Sequence, residues 1–350
     1  MSLRTTLLLI VIGVAVGVVV WVNPFKNEEK TEGKAPWFYQ VTEDDIQVIA
    51  VKHRDQQVKF VRDAEGYWQF ENLPGVSPTH RRWGGLVLML TGPRTRRLLQ
   101  DEIKTPAQYG LDDPETVVKV VLKDTREIDV MLGNKTTDGE HHYGQIEGFD
   151  ELFLITSGWG NVLTKMATEP PLPEWFIGRN SADIAELSII RSTHHGGNDS
   201  WLQFKIRDGE WKMQRFSLDT KSVKVDLDRW TAEGVPLLTG PKSQTVFKSH
   251  VKDFSPYGIF EKSSGIHMRW EGISQRGTKY DEGIVYRIGA KTEDGKGYYA
   301  RTEEGEIDQP VLLLDAEWVD AVFSLDMDPP YGEAPTRYTP TPATSTDSGL

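Results

Sequence analysis

Residues 109–148 read YGLDDPETVVKVVLKDTREIDVMLGNKTTDGEHHYGQIEG. Within them, 117–122 and 128–132 are β-branched runs separated by the polar turn Lys123-Asp124-Thr125-Arg126. Runs of that kind predict two strands paired through a turn. Asp138-Gly139 follows as a second turn, because aspartate bonds its own backbone there and glycine tolerates positive φ. Tyr143 then falls on a third strand. Connections this short predict antiparallel pairing, since parallel neighbours need a crossover of about a dozen residues or more.

The same landmarks return later in the chain and in the same order. Tyr109-Gly110-Leu111 recurs as Tyr257-Gly258-Ile259, 148 positions on. Thr137-Asp138-Gly139 with Tyr143 recurs as Glu293-Asp294-Gly295 with Tyr299, an offset of 156. Upstream, Trp37-Phe38 recurs as Trp175-Phe176 and Asp45-Ile46 as Asp183-Ile184, both at 138. Trp68 matches Trp211 at 143, and Leu90-Thr91-Gly92-Pro93 matches Leu238-Thr239-Gly240-Pro241 at 148. The offset grows in steps that fall at turn-rich stretches such as His194-His195-Gly196-Gly197-Asn198. Loop insertions into a duplicated domain produce that pattern. The repeat-defining residues are therefore Trp37, Trp175, Gly92, Gly240, Tyr109, Tyr257, Gly139, Gly295, Tyr143 and Tyr299, each read as a turn, a helix exit or a packing aromatic.

Each half is expected to open with a meander of three short strands. A helix follows, at 79–91 in the first half and 225–238 in the second. Further strand pairs and a short closing helix complete the half, at 159–166 and 316–323. The expected fold is α+β: a tandem duplication of a mainly antiparallel-sheet domain with short helices, preceded by one transmembrane helix. Its expected parts are an anchor at 1–25, a tether at 26–35, repeats at 36–173 and 174–330, and a disordered tail at 331–350 whose composition is rich in Thr, Pro and Ser.

The anchor rests on Leu7, Leu8, Leu9, Ile10, Val11, Ile12, Val14, Val16, Val18, Val19, Val20, Trp21 and Val22. They belong to an uncharged run that reaches 18 residues with Thr5 and Thr6. A helix of that length rises about 27 Å, close to the roughly 30 Å of a hydrocarbon core. Trp21 suits the interface, and Asn23-Pro24 stops the helix. A cleaved signal peptide is the rival, but its apolar region is shorter and ends in small residues. Arg4 before the run points the N-terminus to the cytoplasm and the body to a periplasmic or extracellular side of an inner or plasma membrane.

A net charge of −12 argues against a nucleic-acid partner, which demands a basic face. The chain has no cysteine, which excludes disulfides, thiolate catalysis and Cys-based metal sites. No phosphate-binding Gly-rich loop or Gly-x-Ser-x-Gly elbow occurs, so no catalytic or cofactor-binding residue is assigned and no cofactor is expected. His141-His142 and His194-His195 suggest metal ligation. On a strand, however, adjacent side chains point to opposite faces, and no third ligand stands at a helpful spacing.

Residues 109–148 resemble the bacterial domain of unknown function 4340 family. Tyr109-Gly110-Leu111 before Pro114, the strand pair ending at Leu132-Gly133, and Asp138-Gly139 before an aromatic strand carry the likeness. It extends over most of residues 36–330, with 105–165 the strongest part. The second half keeps Tyr257-Gly258, Ile288-Gly289, Asp294-Gly295 and Tyr299 but lacks a counterpart of Pro114. The resemblance implies an anchored protein accessory to an ABC-type transporter, including systems like those of gliding motility, and it implies no catalytic residues. The expected function is a membrane-anchored extracytoplasmic binding or accessory protein with protein partners in a transport or envelope complex. The alternatives are a hydrolase of polysaccharide or peptide, which requires a deep cleft, and an oligomerising envelope scaffold.

Overall fold

The computed structural model describes residues 38–93, 95–100, 102–192, 200–216, 218–273, 277–303 and 309–337. The anchor residues, Trp37 and His194-His195 lie outside them. Among the described residues no helix is long and apolar enough to cross a membrane.

The first half builds one sheet from β1 (Ile46–His53), β2 (Gln56–Arg62), β3 (Trp68–Phe70), β4 (Arg97–Gln100), β5 (Thr116–Leu122), β6 (Glu127–Lys135), β7 (His141–Ile146) and β8 (Leu152–Thr156). Its order is β3-β2-β1-β5-β6-β7-β8-β4, and each pair is antiparallel. The second half builds another from β9 (Ile184–Arg191), β10 (Ser200–Arg207), β11 (Glu210–Phe216), β12 (Val223–Lys224), β13 (Gln244–Lys248), β14 (Gly265–Ile273), β15 (Lys279–Lys291), β16 (Gly297–Thr302) and β17 (Val311–Asp315). Its order is β12-β11-β10-β9-β14-β15-β16-β17-β13. Strand for strand this is the first order with one short strand, β12, added at the edge.

Alternation explains the strands. In β5, Thr116, Val118, Val120 and Leu122 are buried while Val117, Lys119 and Val121 face away. The buried row meets α3 (Ser157–Thr168), which packs across β1 and β2 and buries Leu163 fully. In the second half α5 (Ala316–Met327) packs on β9, β16 and β17. The Asp315 side chain caps its start by accepting from the Trp318 amide at 2.9 Å.

An aromatic triad recurs beneath each sheet. Phe60, Trp68 and Trp83 form one, with ring centroids 4.4 Å apart for Phe60–Trp83 and 5.4 Å for Trp68–Trp83. Phe204, Trp211 and Trp230 form the other, at 4.6 and 5.0 Å. Likewise the Trp159 indole donates to the Met89 carbonyl at 3.4 Å, and Trp318 to Leu237 at 3.0 Å.

Three expectations need correction. The helix over 79–91 is two short ones, α1 (His80–Trp83) and α2 (Leu86–Leu90). Gly85 between them has φ 80°, which no helix accommodates. Its counterpart passes through α4 (Leu227–Arg229), a π turn at Trp230–Gly234 and a 3-10 turn at Val235–Thr239. At Gly234 an added Cβ would lie 2.2 Å from the Trp230 ring, so the widened turn seats the indole against bare backbone. Second, β4 and β13 are strands, although no alternation marks them: each runs along the far edge of its sheet, beside β8 and β17. Third, the tail is ordered through residue 337. Pro330 accepts from the Asp226 amide at 2.9 Å, Thr336 from Thr220 at 2.8 Å, and Tyr331 and Arg337 bridge Val225 and Asp219. Composition hid this because the segment is held by backbone bonds and one tyrosine, not by aliphatic burial. Residues 338–350 lie outside the described set.

Candidate functional site

The repeated residues that the structure describes stand in turns and in aromatic packing. Tyr109 and Tyr143 pack with centroids 4.9 Å apart, and Tyr257 and Tyr299 with centroids 5.3 Å apart. Gly110 and Gly258 close short helical turns at φ 67° and 68°. Gly139 and Gly295 occupy matching turns at 74° and 72°. There Asp138 accepts from Thr136 at 2.5 Å and Asp294 from Thr292 at 2.6 Å. Gly133 and Gly289 let the tyrosine carbonyls approach: an added Cβ would meet Tyr109 O at 2.2 Å and Tyr257 O at 2.3 Å. Gly240 takes φ 81° after its helix, while Gly92 stays out of the left-handed region. Trp175 is buried, its carbonyl accepting from Gln244 at 2.7 Å. Phe38 packs on Phe153 of its own sheet at 4.9 Å.

The halves meet at a groove of about 790 Å³. The first half lends Tyr67, Trp68 and the segment from Ser77 to Arg81; the second lends Trp175, His250 and Glu303. The volume falls within the roughly 300–1,000 Å³ of small-molecule sites. Across the joint, Ser77 Oγ lies 3.0 Å from His250 Nε2. The His250 ring lies parallel to Tyr67, 3.8 Å away and 11° off. Ser249 Oγ donates to the Gly75 carbonyl at 3.2 Å, and Val246 fills the space a Cβ on Gly75 would need. Glu174 holds Arg179 at 2.7 Å and Arg81 at 3.4 Å, while Glu303 pairs with Arg287. The cleft thus brings together two carboxylates, but each is tied to an arginine.

A second polar feature lies on the face of the second sheet opposite Leu187 and Ile189. Glu186, 4% exposed, accepts from Ser188 Oγ and Gln203 Nε2, both at 2.8 Å. Lys205 Nζ stands 3.3 Å from its other oxygen, and His267 Nδ1 3.7 Å from the first. Burial would push this carboxyl up, but hydrogen bonds from Ser188 and Gln203 and the charges of Lys205 and His267 hold it below the usual range. His267 is itself held low, chiefly by burial. Strand register matches these positions to Val48, Ala50, Lys59, Val61 and Lys119 in the first half. The charged network therefore belongs to the second half alone. No spacing rule marks it, because its members come from three strands.

His141 and His142 do point apart. His142 Nδ1 lies 3.2 Å from the Gly133 carbonyl, and burial lowers its pKa. His141 instead stands with Asp138 and Glu140, their ligand-type atoms all within 4.8 Å. This corrects the expectation that no further ligand lies at hand. The three sit on an exposed turn in which Asp138 already accepts from Thr136 and the Glu140 amide.

No family model, curated protein or solved structure matches this chain.

Proposed function

We propose that this is a membrane-anchored extracytoplasmic binding protein, auxiliary to an ABC-type transport or cell-envelope complex, whose two halves arose by tandem duplication. The observation that carries the binding role is the groove between the halves. Among its lining residues Tyr67, Ser77, Arg81 and His250 have no like counterpart in the other half, while Trp68 and Trp175 recur. The matched sheet orders and aromatic triads support duplication. The apolar run at 7–22 supports the anchor, and the likeness of residues 105–165 to the domain of unknown function 4340 family supports the transporter association. Anchoring raises the effective concentration of the body beside its neighbours in the membrane, so a modest site suffices.

A photo-crosslinking residue in place of Arg81, whose side chain is 77% exposed at the groove, tests this in native membranes. Adducts with permease or ATPase subunits of a transporter are the expected outcome. Adducts with the chain itself alone would favour an envelope scaffold and overturn the proposal.

A further inference from the structure

We infer that the groove carries a serine nucleophile, Ser77, with His250 as its general base, acting on a carboxylic ester. This rests on reading the groove as the ligand site. Ser77 Oγ and His250 Nε2 stand 3.0 Å apart, the reach that proton transfer requires. The two side chains come from different halves and meet only because the halves dock. Tyr67, parallel to the imidazole at 3.8 Å, fixes the plane of the ring. His250 has φ 51°, a conformation costly for a residue with a Cβ and found preferentially at functional sites. Arg81 lines the same groove and, released from its 3.4 Å pairing with Glu174, would offer a cation to a carbonyl oxygen.

None of these groups recurs. At an offset of 147, fixed by the Phe70–Val76 bond and the Met213–Val223 pair, Ser77 matches Lys224. Tyr67 matches Glu210 at 143, the offset of Trp68 and Trp211, and His250 matches Glu102 at 148, the offset of Gly92 and Gly240. A hydrogen bond that merely pinned the halves together would need neither an oriented ring nor an adjoining cavity.

In the reaction, Oγ attacks the ester carbon and its proton passes to Nε2, with Nδ1 carrying the other ring proton. The carbonyl π pair moves onto oxygen beside Arg81. Collapse breaks the carbon–alkoxy bond, and Nε2–H protonates the leaving alcohol. Water then attacks the acyl-serine with His250 again as base, releasing the acid and restoring Ser77. Nothing is oxidised or reduced, and water is the only co-reactant.

The test uses the full chain in detergent, treated with a fluorophosphonate probe and mapped by peptide mass spectrometry. A single adduct on Ser77 is expected, with p-nitrophenyl acetate hydrolysed in parallel. S77A should abolish both. H250Q should slow labelling by about 100-fold, the low end for a general base, and remove a single ionisation from the pH–rate profile. A structural pin would leave that profile unchanged. No adduct on the folded wild-type chain, or equal labelling of S77A, overturns the dyad, and the wild-type map decides without any variant having to fold. Absent labelling with intact Arg81 cross-links sinks the dyad alone; loss of the cross-links sinks the groove reading itself.

Discussion

Replacing Glu186 by valine, the residue its counterpart Val48 already is, should destabilise the second half by about 2.5 kcal/mol. Ser188 is fully buried and Gln203 is 8% exposed, and both donate to Glu186 at 2.8 Å. Each loses its acceptor, at about 1–3 kcal/mol apiece. Lys205 keeps 30% side-chain exposure, so it reaches water and adds little. The buried valine returns about 1.5 kcal/mol of apolar transfer. E186V/S188A also replaces Ser188 by the alanine found at Ala50, which removes one orphaned donor and should recover about 1–2 kcal/mol. Urea unfolding followed by tryptophan fluorescence gives both values, provided the denaturant slope is unchanged. A loss under about 1 kcal/mol for E186V, or a double variant no more stable than the single, would refute the claim that the carboxylate satisfies buried donors.

Other outcomes follow from the same structure. G133A and G289A each force a Cβ into a tyrosine carbonyl, at 2.2 and 2.3 Å, and should each cost more than about 2 kcal/mol, measured by thermal melting. A large loss in one and none in the other would break the equivalence of the two halves. His142 and His267 have folded pKa values below about 6.5, so the unfolded chain binds more protons in the window below it. Stability should therefore fall as pH drops from about 6.5 through the folded values, and H142Q/H267Q should flatten that slope in urea titrations. Deleting residues 1–25 should yield a folded body in solution. Aggregation of that body in size-exclusion chromatography would contradict the anchor-plus-body reading.

The two meanders and the closing helices were legible because their alternation and β-branching are local. The split at Gly84-Gly85 was visible in the letters, yet only the φ of Gly85 decides whether the helix kinks or stops. Strands β4 and β13 were not legible, since their pairing depends on β8 and β17, more than 50 residues away. Trp83 and Trp230 are a further matched pair, at 147 positions, that stands out only once each indole is seen against its phenylalanine.

Sequence by itself determined the strand meanders, the closing helices and the repeated turns. These follow from short-range rules: side-chain alternation along a strand, positive φ at glycine, and the aspartate that closes a turn on its own backbone. Tertiary structure alone decided where the chemistry gathers. Glu186, Gln203 and His267 come from three strands, and Ser77 and His250 lie 173 residues apart in two different halves. Hydrogen bonds and ion pairs act over about 3–4 Å whatever the distance along the chain. Their partners are therefore set by how sheets register and halves dock, which no spacing in the sequence encodes.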